Sequence, residues 1–260
     1  MKLGVNIDHI AVLREARQIN DPNPLDALGI VKRAGADQIT IHLREDRRHI
    51  QDTDAYSIIY LSTLPVNLEC SIDSEMIRIA CELRPHRVTL VPEKREEITT
   101  EGGLDLVSNN IRLKRAIETL QRFEIEVSLF IDPTSENIET SKDLGVEWIE
   151  FHTGKYANIY AMMYANLSNT HHHIKRLELP RKELTRMLEE EITNLRLLSS
   201  DAVKMDLKVA AGHGLNYENV KAIVDIENIE ELNIGQSIIA RSIFTGLEQA
   251  ILDLKSLLIR

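Results

Sequence analysis

Gln38-Ile-Thr-Ile-His-Leu-Arg-Glu-Asp-Arg-Arg-His49 changes character half-way along. Ile39, Ile41 and Leu43 alternate with Thr40, His42 and Arg44, and period-two alternation marks a strand, whose successive side chains point to opposite faces. The strand then runs into a burst of charge, with three arginines, two carboxylates and His49. A strand that presents His42 and Arg44 from one face, followed by a cationic loop, suits an anionic substrate that needs a proton moved. The plain alternative is a solvated loop after an ordinary strand. The rest of the chain decides between them.

Seven more strand-like runs flank this one: Leu3–Ile7, Val66–Cys70, Arg87–Pro92, Val127–Ile131, Trp148–His152, Lys208–Gly214 and Glu231–Gly235. Helical patterns separate them. Pro24–Gly35 has Pro at its start and an Ala-Gly-Ala stop; Ser74–Leu83 opens on a capping residue with Glu next to it. Further helices are expected over Asp54–Leu64, Asp105–Phe123, Thr134–Leu144, Asn219–Val224 and, as one or two pieces, Ser237–Arg260. Strands joined by connections long enough to cross over predict a parallel sheet. Eight of them predict an α/β fold of the (β/α)8 barrel type, whose usual size is about 250 residues. This chain has 260 and no internal composition break, so one domain over 1–260 is expected. The segment between strands six and seven is about 50 residues long where one helix would do. It should hold extra helices, as a lid, an oligomer contact or both. Gly102-Gly103, after a charged run, reads as a mobile loop.

The balance of charge removes whole classes of function. A net charge of −10 leaves no basic surface for nucleic acid or an anionic membrane, although a pocket for a small phosphorylated substrate needs only a few local cations. No run approaches membrane-spanning length and the N-terminus lacks an apolar signal core, so a soluble cytoplasmic protein is expected. Cys70 and Cys81 have neither metal nor disulfide spacing and read as reduced thiols.

In such barrels chemistry sits at the C-terminal strand ends. There the chain places Asn6, Asp8, His9, His42, Arg44, Glu69, Glu150, His152, His213 and Asn233. Any one could be a helix cap or an ion-pair partner; all of them on one rim by accident is a poor explanation. Gly212-His-Gly214 and Asn233-Ile-Gly-Gln-Ser237 occupy the usual phosphate position, where glycines let backbone N–H groups approach an anion and a following helix aims its positive end at it. His titrates near neutrality unaided, and Glu69 and Glu150, flanked by apolar residues, can be raised into that range. Metal binding through Asp8-His9 or Glu150-x-His152 is the competing use, without the spacing of a known metal motif. His171-His-His173 reads as an exposed turn. For an imine-forming lysine, Lys208 lies at the wrong strand end, while Lys94 and Lys155 follow theirs.

Val5-Asn-Ile-Asp-His-Ile10, His42-Leu-Arg-Glu-Asp-Arg-Arg-His49, Asn67-Leu-Glu69, Leu90-Val-Pro-Glu-Lys-Arg95 with Thr99-Thr-Glu-Gly-Gly103, Glu150 with His152-Thr-Gly154, Ala211-Gly-His-Gly-Leu215 and Glu231-Leu-Asn-Ile-Gly235 together resemble the pyridoxine 5′-phosphate synthase family nearly end to end. The resemblance implies a homo-octameric barrel that condenses 1-deoxy-D-xylulose 5-phosphate with 3-amino-2-oxopropyl phosphate, without metal or redox cofactor. The amine is the substrate's own, so no lysine need form the imine. Matched by motif, His42 and Glu69 are implied proton acceptors, His213 a proton donor and Glu150 a transition-state stabiliser. Asp8, His9, Arg44, His49 and Thr99 are implied to hold the deoxyxylulose phosphate; Asn6, Arg17, Gly214, Gly235 and Gln236 the aminoketone phosphate. Two departures stand out: Gln236 replaces a His found in some relatives, and the segment after Gly154 is longer than in familiar members. A metal-dependent aldolase or isomerase and a non-catalytic sensor of phosphorylated ligands are the competing classes.

Overall fold

Bonds between strands that are not neighbours show where the polar faces point. In the computed structural model, which describes residues 1–93 and 102–260, the strands are β1 Lys2–Asn6, β2 Gln38–His42, β3 Val66–Cys70, β4 Arg87–Leu90, β5 Glu126–Ile131, β6 Trp148–His152, β7 Lys208–Gly212 and β8 Glu231–Ile234. All pair in parallel in chain order, and β1 closes on β8 with Leu3 opposite Leu232. Arg87 Nη1 on β4 donates to Glu231 Oε1 on β8 at 2.7 Å, and Asn233 Nδ2 on β8 to Glu150 Oε2 on β6 at 2.7 Å. Such spans run through the barrel axis. The interior is therefore polar, whereas most such barrels fill it with branched apolar side chains.

The apolar half of each alternation faces outward. Ile39, Ile41, Leu68, Val88, Leu90, Val127 and Leu129 are buried in one cluster with the helices. Parallel strands buried on both sides usually read as continuous apolar runs; here strict alternation survives because only the helix side is oily. Each fully buried Ile or Leu contributes about 1.5–3 kcal/mol.

The helices are α1 Asp8–Glu15, α2 Ala27–Arg33, α3 Asp52–Leu61, α4 Ser74–Leu83, α5 Asn110–Arg122, α6 Ser135–Leu144, α7 Gly154–Tyr164, α8 Arg181–Lys204, α9 Val220–Val224, α10 Gln236–Thr245 and α11 Leu247–Leu257. Local chemistry sets their ends. Asp73 caps α4 by accepting from Glu75 N, and Thr134 caps α6 by accepting from Asn137 N. Gly145 ends α6 in the left-handed region. Extra helices do fill the space between β6 and β7: α7, two single 3-10 turns and the 24-residue α8. Ile159, Met162, Leu177 and Leu184 give them a second apolar cluster. His171 and His172 are exposed in a turn. Among the described residues no helix is long and apolar enough to cross a membrane.

Four expectations need correction. Helix α1, directly after β1, was not anticipated. The helix expected from Asp105 starts at Asn110, because the Asp105 carboxylate accepts from Val107 N and Ser108 N and holds a turn instead. The fourth strand stops at Leu90, short of the expected Pro92. Gly102-Gly103 is packed, not loose: a Cβ on Gly103 would lie 2.2 Å from Asp132 N, and Leu104 N donates to Phe130 O. The rest of that expected loop lies outside the described residues.

Candidate active site

A cavity of about 460 Å³ opens at the C-terminal strand ends. Asn6 and His9, His42, Glu69, Glu150, His213 with Gly214, and Gly235 with Gln236 all line it. These nine sequence candidates come from six strands and their exits, and the barrel brings them to one space. His42 and Glu69 stand side by side because β2 and β3 pair with those residues in register.

Each titratable group has a distinct environment. Glu150 is 3% exposed, and burial pushes its carboxyl up to about 7, against the opposing bond from Asn233. Asn233 is itself fixed, its Oδ1 accepting from Thr40 Oγ1 at 3.2 Å and from Gln38 Nε2 at 3.4 Å. Asp8, at the start of α1, is raised by burial to about 6 and accepts from His42 N and Asn6 Nδ2. It thus sets the backbone of β2 at its exit rather than lining the cavity. His9 is lowered by burial. His49 is pulled down to about 3, by burial and then by the positive charge of His42, Arg44 and His9; its ring lies edge-on to His42 at 5.9 Å.

The cationic group expected for one substrate is split in space. Arg44 is 2% exposed and grips Asp46 through Nε and Nη2 at 3.1 and 3.2 Å. Arg44 and His49 lie behind the His42 wall, not on the cavity surface, and Arg17 is exposed in the turn after α1. Thr99 and Lys94 lie outside the described residues. Lys155 pairs with Glu191 at 2.7 Å with its side chain 67% exposed and does not line the cavity, so it offers no imine-forming amine there.

At the opposite wall, β8 runs into α10 through Gly235, where a Cβ would lie 2.8 Å from Asn6 O. This close approach needs glycine and brings the N-terminus of α10 onto the cavity. The first-turn N–H groups of a helix have no intrahelical acceptor and carry its positive end. Gly214, with φ +77°, stands beside it. Such an arrangement can cradle an anion.

Two carboxylates were missed as site residues. Glu93, just past β4, meets His42 Nε2 at 3.1 Å and accepts from Glu45 N at 2.9 Å. Burial pushes Glu93 up, but these partners more than offset it and hold the acid below its usual range. Asp132, after β5, meets His152 Nδ1 at 3.1 Å. Both follow a strand, the position that could have singled them out.

A family model described as "Pyridoxal phosphate biosynthesis protein PdxJ" matches residues 3–260. The chain belongs to the PdxJ family. It is an enzyme of pyridoxal phosphate biosynthesis. Two PdxJ relatives, both named pyridoxine 5′-phosphate synthase, come from Sulfurovum sp. (strain NBC37-1) and Aliarcobacter butzleri (strain RM4018). They are 72% and 66% identical, over 99% of this chain and 100% and 99% of their own. Such coverage makes the long β6–β7 segment part of these two relatives as well. Among solved structures, "Native KDPGal structure" has a TM-score of 0.61 at 11% identity, over 99% of this chain and 94% of its own. Phosphoribosylanthranilate isomerase from Thermotoga maritima has 0.56 at 13%, over 99% and 98%. These share the barrel.

Proposed function

We propose that this chain is a pyridoxine 5′-phosphate synthase, condensing 1-deoxy-D-xylulose 5-phosphate with 3-amino-2-oxopropyl phosphate to give pyridoxine 5′-phosphate, inorganic phosphate and water. The observation that carries the reading is the convergence of His42, Glu69, Glu150 and His213 on the cavity that also holds the α10 anion cradle. The cradle of Asn6, Gly214, Gly235 and Gln236 takes the aminoketone phosphate, with Arg17 assisting. His9, backed by Asp8, Arg44 and His49 and joined by Thr99, takes the deoxyxylulose phosphate.

The substrate amine attacks the ketone of its partner, and loss of water leaves an imine. Glu69 and His42 remove protons from carbon and nitrogen as the ring forms; Glu93 orients His42 for this. His213 protonates departing oxygen, so that the deoxyxylulose phosphate leaves as inorganic phosphate and the aminoketone carbonyl oxygen leaves as water once carbon has closed on it. Glu150, poised near 7, stabilises the charge that develops between them. The nitrogen nucleophile arrives with the substrate, so no cofactor is required by this sequence of steps.

The proposal includes a single domain over 1–260, a cytoplasmic location and a homo-octamer. Exposed apolar side chains such as Phe244 at 88% and Tyr60 at 77% support a self-associating surface. Purified protein mixed with both substrates should release phosphate and develop pyridoxine phosphate absorbance, and light scattering should give the octamer mass. Folded protein without product would end the assignment; product that appears only with added divalent metal would favour the metal-dependent class.

A further inference from the structure

His213 sits on a backbone that few side chains tolerate. Its φ is +78° and the following Gly214 is at +77°, so the turn after β7 is left-handed at two successive residues. The exit of β6 holds it there. Thr153 N donates to Gly212 O at 2.8 Å, and Thr153 Oγ1 lies 2.6 Å from Gly212 O and 2.7 Å from His213 O. Thr153 stands at the N-cap of α7, where a threonine hydroxyl ordinarily accepts from the helix. Here it makes no cap bond and is spent on the His213 turn.

The ring of His213 is met from the same exit. His152 lies edge-on to it with centroids 4.9 Å apart, and Phe130 backs both rings at 5.1 and 6.4 Å. His152 is buried, and its Nδ1 is held by Asp132 Oδ1 at 3.1 Å. Its Nε2 is buried without a hydrogen-bond partner and packs on Gly154, where a Cβ would lie only 2.4 Å away. Asp132 is kept a carboxylate first by His152, with help from the Gly103 N–H. The tight packing of Gly102 and Gly103 on Asp132 fixes its place. The other titratable groups on the same space are Glu150, His9, His42 and Glu69.

We infer that Asp132 and His152 form a positioning pair for His213. Asp132 locks the His152 ring through Nδ1, and the locked ring, with Thr153 gripping the left-handed turn, holds the His213 imidazole at the cavity for proton delivery. His152 does not reach substrate; it acts through His213. The inference rests on His213 being the proton donor of the proposed reaction.

The test uses Asp132→Asn, His152→Phe, their double variant, and Thr153→Val beside Thr153→Ser. Histidine-selective 15N labelling of the unliganded full chain, assigned with His213→Gln, should show His152 protonated on Nδ1 and bare on Nε2. Asp132→Asn and His152→Phe should broaden or double the His213 signals. In turnover each should lower kcat tenfold or more with both KM values within about threefold, and the double variant should be no worse than His152→Phe alone. Thr153→Val should behave likewise and Thr153→Ser should recover most of the activity. Unchanged His213 signals in both single variants overturn the inference whatever the activity. So do losses that multiply in the double variant, or a Thr153→Ser no better than Thr153→Val. Absence of turnover in the parent protein would count against the proposed reaction instead, leaving the spectra to judge the pair.

Discussion

Glu150→Gln should make this protein more stable at neutral pH while abolishing its activity. The buried carboxyl ionises at about 7 in the fold, against an ordinary value of 4.5. Below pH 4.5 it is protonated in folded and unfolded chains alike, and the fold bears no penalty. Between 4.5 and 7 the unfolded chain releases the proton while the fold keeps it, so stability falls as pH rises. Above 7 the loss is complete. A difference of two and a half pKa units, at about 1.36 kcal/mol each, comes to about 3 kcal/mol. Gln keeps the shape and can still accept from Asn233 Nδ2, but has nothing to ionise. Urea unfolding followed by fluorescence of Trp148, the sole tryptophan, should show the variant's advantage widening by about 2–3 kcal/mol from pH 5 to pH 8. Asp8, also raised, contributes equally to both proteins and cancels. A gap that stays flat across this range would mean that burial does not hold the Glu150 proton, and its place in the mechanism would have to be redrawn.

Glu69→Gln should cut turnover by about a hundredfold or more while both substrates still bind within a few-fold, because it removes a base and keeps the outline; a binding loss with normal chemistry, by calorimetry and single turnover, would contradict the role. Glu93→Gln removes the charge behind His42, and kcat should drop about tenfold to a hundredfold with KM held; unchanged kinetics would make the contact a structural tie. Gly4→Ala would place a Cβ 2.0 Å from Asn233 Oδ1 in the buried interior. Overpacking and the displaced bond to Glu150 should together cost about 3 kcal/mol or more, and activity with it; a parental Tm would show that Asn233 can move aside freely.

What the chain discloses without coordinates depends on the range of the physics. The strands were legible because alternation is local: Ile39, Ile41 and Leu43 turn to the helices while Thr40 and His42 turn inward. The rim residues followed, since a parallel barrel puts every strand exit at one end. Helix starts were less legible where a short side chain competes for backbone N–H groups, as Asp105 does. Glu93 and Asp132 escaped as site residues because their place after a strand marks the rim, but only the fold shows that each pairs with a distant histidine and does not face water. Conversely Arg44 and His49 were expected on the substrate surface, and the fold sets them behind it. The Arg44 charge reaches the site through Glu93, but the pattern of residues could not say at what depth either side chain lies.

The interior explains why the site is held by the barrel itself rather than by its loops. Glu150 Oε2 is tied to Asn233, which is tied to Thr40 and Gln38; Gln38 reaches Glu231, which Arg87 clamps from across the axis with its guanidinium 3.7 Å from the Trp148 ring centre. Glycines at 4 and 212 make room for the two ends of the Asn233–Glu150 link, since a Cβ at either would touch one of them. A buried polar network is costly unless its members are satisfied, and a member left unpaired is costlier still. The network therefore has one favourable arrangement. The carboxyl at its upper edge is tied through Asn233 to strands on several sides of the barrel and is kept from relaxing toward solvent. An apolar interior could match the stability and would also keep the acid raised, but it would give Glu150 no bond to aim it at the cavity. The strand pattern that looks unusual for a parallel barrel is thus the requirement of the acid it has to carry.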